Sequence, residues 1–382
     1  MSANKMVYLD NAATTKPEDE VVSCYSKAAS SFFGNANSPH RAGQEAAKAL
    51  RKAEEEILSA LGVSATHDLI FTSGATEANN LALKGVAFQY QNRGRRILSN
   101  LGEHSSVKAP LAQLKDSFGF DVQMLPIDSE GKLLPSVLEE AMDKNTILVS
   151  AMAVNNELGS INDVPSLANI VHRFPKAFLH VDATQSIGKI DLPYSYIDLF
   201  SFSGHKFGGL KGSGVLVYRK SIRFLPILSG GSQQNGFRSG TLDVADAMSL
   251  SLALRKAIAH QKEGWEKAQA LSERLLQGLL ATGECRINSP KDRLPYLVNF
   301  SLLHKKASVV VEALSARGIY VSSHAACDEK LNNGSPVLLA MGIESELAKN
   351  AIRVSFSYES SEEDVDSFLS AFQEILQEVR DR

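Results

Sequence analysis

Short apolar runs alternate with longer amphipathic segments through the first two-thirds of the chain, and this alternation limits the folds open to it. Seven runs have the length and apolar content of buried strands: DLIFTSG, RILSN, DVQMLPI, TILVSAMAVNN, AFLHVDAT, IDLFSFSG and GVLVYRK. Strands that alternate with helices form a mostly parallel sheet with helices on both faces. We therefore predict an α/β fold of this kind, whose ligands bind beyond the carboxyl ends of the strands.

The pattern changes near residue 243, where a long helical stretch runs to about residue 283. The residues after this stretch have a pattern typical of a smaller α+β unit. We therefore predict a large domain of residues 16–255 and a small domain made of residues 1–15 and 256–382. An apolar stripe at helical spacing near the carboxyl terminus predicts a last helix that packs on the core, with a capping box from Ser360 to Glu363.

Composition argues against several classes of function. The net charge of −3, without a long basic run, disfavours binding to nucleic acid or to a membrane surface. The first fifteen residues lack the apolar core of a signal peptide, and no apolar stretch is long enough to span a bilayer. Three widely spaced cysteines and nine scattered histidines indicate neither a disulfide framework nor a metal site. We expect a cytoplasmic protein without a metal.

Polar residues come directly after the predicted strands, where a parallel sheet collects its ligands. Gly74 and Thr76 open a helix, an arrangement that suits a phosphate group but also an ordinary N-cap. Each of the other residues, taken alone, also has a simple role as a turn former or cap. Together they supply an acid, an amine, imidazoles and amides at one edge of one sheet. The candidate residues are Ala75, Thr76, His104, Asn155, Asp182, Gln185, Ser203, His205 and Lys206.

Lys206 is the most unusual of these residues, because it lies among glycines at the end of an apolar strand in SFSGHKFGG. Loss of hydration there disfavours the charged form and lowers the pKa of the amine. A neutral amine forms a Schiff base with an aldehyde, and pyridoxal phosphate is an aldehyde with a phosphate to bind. Its ring nitrogen needs a carboxylate partner, for which Asp182 is the candidate. The sequence predicts a pyridoxal-phosphate site.

Seven motifs resemble those of the cysteine desulfurases, the sulfur-mobilising branch of the class V aminotransferase-like, fold type I pyridoxal-phosphate enzymes. They are YLDNAATT, FTSGATEANNLAL, EHSS, VNNELG, HVDATQSIGKI, SFSGHKFGGLKGSG and GFRSGT, in order and at compatible spacing over nearly the whole chain. The resemblance implies that the large domain binds pyridoxal 5'-phosphate and that the protein is a homodimer with a shared active site.

The resemblance also implies a role for each cofactor-binding residue. Lys206 forms the Schiff base, Asp182 pairs with the pyridinium nitrogen, and His104 stacks on the ring and assists proton transfer. Gln185 and Asn155 lie near the phenolic oxygen. The phosphate is held by Thr76, Ser203 and His205, with Thr241 of the partner subunit and Arg238 nearby, and Ala75 belongs to the cofactor-binding set.

The same resemblance implies that the substrate is L-cysteine. Arg353, in a strand like IRVSF, then binds the substrate carboxylate through two parallel hydrogen bonds. Asn155 also contacts the substrate, and Asn35 and His40 line its entrance.

Cys327 lies between an apolar strand and a polar stretch, residues 332–335, that is typical of a mobile loop. By resemblance, this cysteine attacks the sulfur of bound cysteine, becomes a persulfide and leaves alanine as the product. The alternative for Cys327 is a small buried apolar residue, which is the role we expect for Cys24 and Cys285.

Two features depart from the family pattern. His324 precedes Cys327, and Asp328 and Glu329 come after it. A protonated imidazole lowers the pKa of a thiol and carboxylates raise it, so the net effect on turnover stays open. Gln234 stands where the family often has glutamate.

We predict an L-cysteine desulfurase that passes sulfur to a protein acceptor, such as an iron–sulfur scaffold or a sulfur carrier. Two alternatives stay open. One is a related pyridoxal-phosphate lyase or aminotransferase, for example a selenocysteine lyase, that does not use Cys327. The other is a non-catalytic scaffold of the same fold. The sequence does not identify the acceptor, and it does not exclude selenocysteine as a substrate.

Overall fold

The computed structural model describes residues 6–323 and 334–379 of the 382-residue chain. Its strands are β1 (Val7–Tyr8), β2 (His67–Thr72), β3 (Arg96–Asn100), β4 (Asp121–Leu125), β5 (Thr146–Met152), β6 (Phe178–Asp182), β7 (Leu199–Ser203), β8 (Gly214–Arg219), β9 (Cys285–Ile287), β10 (Leu297–Leu302), β11 (Ile319–Tyr320), β12 (Ser322–Ser323) and β13 (Ala351–Ser355). Its α-helices are α1 (Asp19–Ser31), α2 (Arg41–Ala60), α3 (Ala75–Tyr90), α4 (Ser105–Phe118), α5 (Pro135–Ala141), α6 (Val164–Val171), α7 (Val244–Ala259), α8 (Gln261–Ala281), α9 (Ala307–Ala316), α10 (Pro336–Ala340), α11 (Ser345–Lys349) and α12 (Glu362–Glu378).

All seven predicted strands lie in one sheet, in the order β2-β8-β7-β6-β5-β3-β4. The neighbours from β7 to β4 pair in parallel, whereas β8 pairs antiparallel with both β2 and β7. The ten residues 204–213 between β7 and β8 contain no helix longer than the 3₁₀ turn Gly204–Lys206. A parallel pair needs a longer crossover, usually with a helix, so β8 turns back along β7. The sheet is mostly parallel, as predicted.

Helices cover both faces of this sheet. Leu148 and Leu199 point to one face and pack with α3 and α4, whereas their neighbours Val149 and Phe200 point to the other face and join the main core. Successive strand residues alternate between the two faces. A strand covered on both sides is therefore apolar along its whole length, which explains the continuous apolar runs in the sequence.

The carboxyl-terminal third forms a second, antiparallel sheet in the order β12-β13-β10-β9. The amino-terminal segment belongs with this part, because β1 pairs with β11 and Asp10 bridges to Ser355. Ser361 and Asp364 form the capping box of α12, so the predicted pair Ser360 and Glu363 was wrong by one residue. Ser360 instead accepts a hydrogen bond from the N–H of Ser357, which holds it in the preceding turn.

The predicted domain boundary after residue 255 falls inside α7. Helix α7 packs against α1 and α2, whereas α8 packs against α12 and the second sheet. The chain leaves helical geometry between them at His260, with φ −94° and ψ 3°. Helical periodicity continues across this break, so the sequence pattern does not reveal it. The division into two domains stays a prediction.

Two glycines allow the end of β2 to touch the start of β8. A Cβ on Gly214 would lie 2.4 Å from the Cα of Gly74 and 2.6 Å from its carbonyl carbon. Gly74 has a φ of +148° and is the N-cap residue of α3. Only residues without side chains permit this approach, and the approach fixes where α3 begins.

The Gly214→Ala variant should lose at least about 3 kcal/mol of unfolding free energy, the upper end for overpacking, because main-chain atoms cannot move aside easily. Urea unfolding measures this loss. The matched control is Gly283→Ala, where a Cβ meets nothing within 4 Å and only the φ of +69° is strained. The control should lose about 1 kcal/mol. Equal losses in the two variants would contradict the proposed main-chain clash.

Candidate active site

The carboxyl ends of β2, β6 and β7 bring most of the predicted site residues together. Ser203 ends β7, and its Oγ accepts a hydrogen bond of 2.7 Å from the N–H of Ala75 at the start of α3. Asp182 ends β6 and pairs in register with Ser201 of β7. Lys206 comes after β7 in the 3₁₀ turn. Three separate parts of the sequence therefore meet at the carboxyl ends of the parallel strands.

The amino-terminal end of α3 has the features of an anion-binding site. Its N-cap residue Gly74 provides no capping side chain, and Thr76 is exposed in the first turn. The N–H groups of a first helical turn have no acceptor within the helix, and the helix dipole is positive at this end. A Cβ on Gly74 would lie 3.3 Å from the Oγ of Ser203 and would narrow the space. A phosphate group suits this position.

His205 and Thr241 lie at the same end of the sheet. The Nδ1 atom of His205 lies 3.2 Å from the Oγ1 of Thr14. Burial, reinforced by the charge of Lys206, lowers the pKa of His205 to about 4, so its imidazole is neutral at pH 7. Thr241 lines a cavity of about 340 Å³ together with Thr72 at the end of β2. Its predicted contact across a subunit boundary stays a prediction.

Gln234 binds the loop that carries Thr241 to β2, an edge strand of the sheet. The side-chain amide of Gln234 accepts from the N–H of Phe71 at 2.6 Å and donates to the carbonyl of Phe71 at 3.0 Å. A glutamate carboxylate could not make the second of these bonds, because it has no proton to donate. The departure from the family pattern at Gln234 thus has a clear structural role. Arg238, in the same loop, pairs with Glu77 of α3 at 2.8 Å.

The carboxylate of Asp182 is buried and held in one orientation. Its Oδ1 accepts from the N–H of Thr184 at 3.0 Å, and its Oδ2 accepts from the Nδ2 of Asn79 at 2.9 Å. Asn79 is fully buried in α3, donates also to Ser106 and accepts from Ser201. Asn79 was not among the predicted site residues. The available signal was a pair of amide side chains, Asn79 and Asn80, directly before the apolar stretch LALKGVA.

His104 caps α4 at the opening of the site. Its Nδ1 accepts a hydrogen bond of 3.1 Å from the N–H of Ser106. His104 is exposed overall, yet enough protein surrounds the imidazole that desolvation lowers its pKa, with Asp182 opposing and Lys206 adding to the effect. Since Nδ1 accepts, a neutral imidazole carries its proton on Nε2.

The amine of Lys206 is held against the amino-terminal segment. Its Nζ donates to the carbonyl oxygens of Ala12 at 2.8 Å and Ala13 at 2.7 Å. Burial, followed by the positive charge of Arg353, lowers its pKa to about 8, while Asp182 opposes this effect. A lysine with such a pKa has a substantial neutral fraction near neutral pH and can act as a nucleophile or a base.

Two buried amides lie beside these groups. The Nε2 of Gln185 donates to the carbonyl of Ala12 at 2.9 Å. The Nδ2 of Asn155 donates to the carbonyl of Gly102 at 2.9 Å, and its Oδ1 accepts from the N–H of Glu157 at 2.9 Å. Asn155 therefore ties the turn after β5 to the end of β3. Contact of either amide with a phenolic oxygen stays a prediction.

Arg353 on β13 reaches the site from the second sheet. Its Nη2 pairs with the Oδ1 of Asp10 at 2.9 Å, and its Nη1 donates to the carbonyl of Asn156 at 3.0 Å. Its Nε is buried without a hydrogen-bond partner within the described residues. This N–H group is a donor that a substrate carboxylate could satisfy.

The predicted entrance residues have local roles. The Oδ1 of Asn35 accepts from the N–H of Asn37 at 2.9 Å, and the Nδ1 of His40 accepts from the N–H of Gly43 and caps α2. Within the part of the chain that the structure describes, these side-chain bonds stay in their own loop. A role of Asn35 or His40 at a substrate entrance stays a prediction.

Cys327 and its neighbours His324, Asp328 and Glu329 lie outside the described residues, so the predicted persulfide site stays a prediction. The other two cysteines are partly buried. Burial raises the pKa of both thiols, that of Cys285 to about 11. Thiols with a raised pKa are poor nucleophiles, which fits packing roles for them.

Glu103 is a buried acid beside the site that the predicted set did not include. It is 1% exposed. Its Oε1 accepts from the N–H of Met152 at 2.6 Å and from the Nδ2 of Asn100 at 2.8 Å, whereas its Oε2 has no hydrogen-bond partner within the described residues. Burial, followed by the charge of Asp182, raises the pKa of Glu103 to about 8. Glu103 is therefore mostly protonated at pH 7 and links the ends of β3 and β5.

The profile of the family described as Aminotransferase class-V matches residues 7–368. The chain belongs to the class-V aminotransferase family. A relative named cysteine desulfurase IscS, from Methanosarcina thermophila, is 36% identical over 380 residues, which cover 99% of this chain and 93% of that protein. A solved NifS-like protein superposes with a TM-score of 0.90 at 36% identity, covering 98% of this chain and 100% of the other. Another, SspA in complex with cysteine, gives a TM-score of 0.79 at 29% identity, covering 93% and 99% of the two chains.

These similarities confirm the resemblance to the cysteine desulfurases, the α/β fold class and the prediction of an enzyme from this pyridoxal-phosphate-dependent family. Between residues 6 and 323 and between 334 and 379, no helix is long and apolar enough to cross a membrane. The same residues contain no group of three or more histidines, cysteines or acids that could hold a metal ion. A cytoplasmic location and a homodimer stay predictions.

The raised pKa of Glu103 should make the protein less stable as pH rises. The carboxyl group is protonated in the folded protein up to about pH 8 and ionised in the unfolded chain above its ordinary pKa of 4.5. Between the pKa of the unfolded chain and that of the folded protein, the folded state therefore binds one proton more than the unfolded chain. The free energy of unfolding falls by up to about 1.4 kcal/mol for each unit that the pH rises in this range. Urea unfolding of the wild type and Glu103→Gln at pH 5.5 and pH 8 measures this dependence.

The Glu103→Gln variant keeps the acceptor oxygen but cannot ionise, so its stability should fall less between the two pH values. The control Glu139→Gln changes a carboxylate whose side chain is 55% exposed and should retain the wild-type dependence. If Glu103→Gln loses as much stability as the wild type over this interval, the protonated state of Glu103 is refuted.

Proposed function

We propose that this chain is a pyridoxal-phosphate-dependent L-cysteine desulfurase that releases alanine and leaves the sulfur as a persulfide on Cys327. One observation carries the proposal: the amine of Lys206, with its lowered pKa, lies at the same sheet edge as the buried carboxylate of Asp182 and the anion-binding end of α3. Relatives named cysteine desulfurase over nearly the whole chain support the choice of reaction.

The side chains at the sheet edge fit pyridoxal phosphate in charge and in hydrogen-bonding chemistry. The helix end with Ser203 and His205 suits the phosphate, the Asp182 carboxylate suits the ring nitrogen, and the amine suits the aldehyde. When bound, the cofactor supplies an electron sink for charge that develops on the substrate. The proposed cofactor-binding set is Ala75, Thr76, His104, Asn155, Asp182, Gln185, Ser203, His205 and Lys206, with Thr241 of the partner subunit in a homodimer.

The chain's own residues bind the substrate and move its protons. The Nε of Arg353, which has no partner in the described structure, donates to the substrate carboxylate and fixes its orientation. The amine of Lys206, neutral in part near pH 8, takes the proton from the substrate Cα and returns one. The imidazole of His104, whose pKa is lowered and which lies close enough to Asp182 and Lys206 to interact with their charges, can donate a hydrogen bond from Nε2 in its neutral form.

Cys327 completes the reaction. Its thiolate attacks the sulfur of the substrate, an S–S bond forms and the C–S bond breaks, and the electron pair of that bond stays on carbon, which takes up a proton. L-cysteine and the Cys327 thiol thus become alanine and a persulfide without an added oxidant or reductant. The persulfide then passes its outer sulfur to a protein acceptor, such as an iron–sulfur scaffold or a sulfur carrier.

The Lys206→Ala variant should lose the visible absorption of lysine-bound pyridoxal phosphate and should lower alanine formation by at least about 10²-fold, since it removes both the attachment point and the proton-transfer group. Absorption spectra and alanine release from L-cysteine measure the two effects. Lys220→Ala, at the end of β8, is the control and should retain both. An unchanged spectrum in Lys206→Ala would refute the proposed attachment.

In the wild-type apoprotein, the rate of cofactor uptake should rise with pH through about 8, because only the neutral amine attacks an aldehyde and burial lowers its pKa to that value. A lysine with its ordinary pKa of 10.5 would show the rise more than two units higher.

The Cys327→Ala variant should retain the spectrum of the bound cofactor but should not form a persulfide or release alanine above background. Persulfide labelling after addition of L-cysteine, together with an alanine assay, tests this. The controls Cys24→Ala and Cys285→Ala should retain both activities. Alanine release unaffected in Cys327→Ala would favour a related lyase or aminotransferase, and a wild type that binds no cofactor would favour a non-catalytic scaffold.

A further inference from the structure

A second lysine with a lowered pKa lies near Lys206 and has no role in the proposed reaction. Lys189 and Lys206 both line a cavity of about 910 Å³, on which Tyr296 also borders. The Nζ of Lys189 lies 5.8 Å from the centroid of the Tyr296 ring. Burial of the amine, with the charges of Lys206 and Arg353 adding to the effect, lowers the pKa of Lys189 to about 7.

The amine of Lys189 is hydrogen-bonded to the side chain of Gln185. Its Nζ donates to the Oε1 of Gln185 at 3.2 Å. At the other end of the same amide, the Nε2 of Gln185 donates to the carbonyl of Ala12 at 2.9 Å. The two contacts define the orientation of the amide. Rotation by 180° would place the amide oxygen against the carbonyl of Ala12, which repels it, and the NH₂ group against Lys189, which in its ammonium form has no lone pair to accept a hydrogen bond.

The carbonyl of Ala12 connects this amide to the reactive amine. Ala12 accepts from the Nε2 of Gln185 at 2.9 Å and from the Nζ of Lys206 at 2.8 Å. The Nε2 of Gln185 and the Nζ of Lys206 therefore donate hydrogen bonds to the same carbonyl oxygen. An unbroken set of hydrogen bonds runs from Lys189 through Gln185 and Ala12 to Lys206.

We propose that Lys189 is a positioning residue, which fixes the amide of Gln185 so that its NH₂ group, and not its oxygen, faces the space beside Lys206. The inference rests on the proposed function, because the group expected there is the phenolic oxygen of pyridoxal phosphate, which accepts hydrogen bonds. A Gln185 amide held in this way offers its second N–H proton as a donor. An amide free to rotate would offer its oxygen part of the time and would repel that acceptor.

The role is strongest when Lys189 is an ammonium, because that form can only donate hydrogen bonds. A neutral amine still donates to the Oε1 of Gln185, but its lone pair could also accept from a rotated NH₂ group, so above the pKa of Lys189 the carbonyl of Ala12 does more to hold the orientation. Side chains of this kind, one step away from a bound group, commonly set the orientation of the side chain that touches it.

A double-mutant cycle tests the link between the two side chains. The four proteins are the wild type, Lys189→Met, Gln185→Leu and the double variant. Their dissociation constants for pyridoxal phosphate and the absorption maxima of their loaded forms are measured. Lys189→Met should weaken cofactor binding by about 3- to 10-fold, the equivalent of one hydrogen bond. The double variant should bind within about twofold of Gln185→Leu alone, because Lys189 acts through the amide.

A second measurement separates positioning from a purely structural role. Urea unfolding of the same four proteins without cofactor reports the contribution of the Lys189–Gln185 contact to stability. Lys189→Met should shift the absorption maximum of the bound cofactor in the same direction as Gln185→Leu. The control Lys84→Met removes a partly buried lysine in the middle of α3 and should leave both the spectrum and the cofactor affinity unchanged.

Two outcomes overturn the inference while leaving the proposed function intact. The first is a double variant whose loss of affinity equals the product of the two single losses. The second is coupling seen only in unfolding, with the affinity and spectrum of Lys189→Met unchanged. A wild type that binds no pyridoxal phosphate overturns the proposed function itself, and with it the positioning role toward that cofactor.

Discussion

The hydrogen bonds from the Lys206 amine to the carbonyls of Ala12 and Ala13 join the amino-terminal segment to the central sheet. The same segment is held to the carboxyl-terminal part of the fold, because β1 pairs with β11 and Asp10 pairs with Arg353 on β13 of the second sheet. Residues 7–13 therefore place the lysine at the end of β7 and the arginine on β13 against one short stretch of backbone. A reaction that needs an amine and a carboxylate-binding group at a fixed separation depends on this stretch more than on either sheet alone.

The two buried acids near this stretch have hydrogen-bond partners or a suppressed charge. Asp182 accepts from Asn79 and from the backbone after β6, which offsets the cost of burying a carboxylate. Glu103, close to that negative charge and deeply buried, takes up a proton instead. The two acids can be buried near each other because Glu103 is protonated and both carboxylate oxygens of Asp182 accept hydrogen bonds.

Much of the fold and of the candidate site can be predicted from local sequence, because strand ends are visible in a single sequence. Asp182, Ser203 and Lys206 each lie at the end of an apolar run, and parallel strands bring such ends together. The residues that the sequence does not reveal act across long separations. Asn79 contacts Asp182 from 103 positions away, and the sequence does not show which of the neighbouring amides, Asn79 or Asn80, faces the site. The reversed direction of β8 and the exact cap of α12 also depend on loop geometry that a pattern of apolar residues does not specify.

The two lysines of the 910 Å³ cavity show why pKa alone does not identify a reactive amine. Burial lowers the pKa of Lys189 to about 7, below the value of about 8 for Lys206, so Lys189 has the larger neutral fraction at pH 7. The positions of the two amines nevertheless favour Lys206 as the reactive one. Lys206 lies just after β7, whose last residue, Ser203, binds the start of α3, whereas Lys189 lies beyond Gln185 and donates to it. Only the amine next to the anion-binding helix end can meet an aldehyde whose phosphate is held there, and the other amine is left to orient the amide between them.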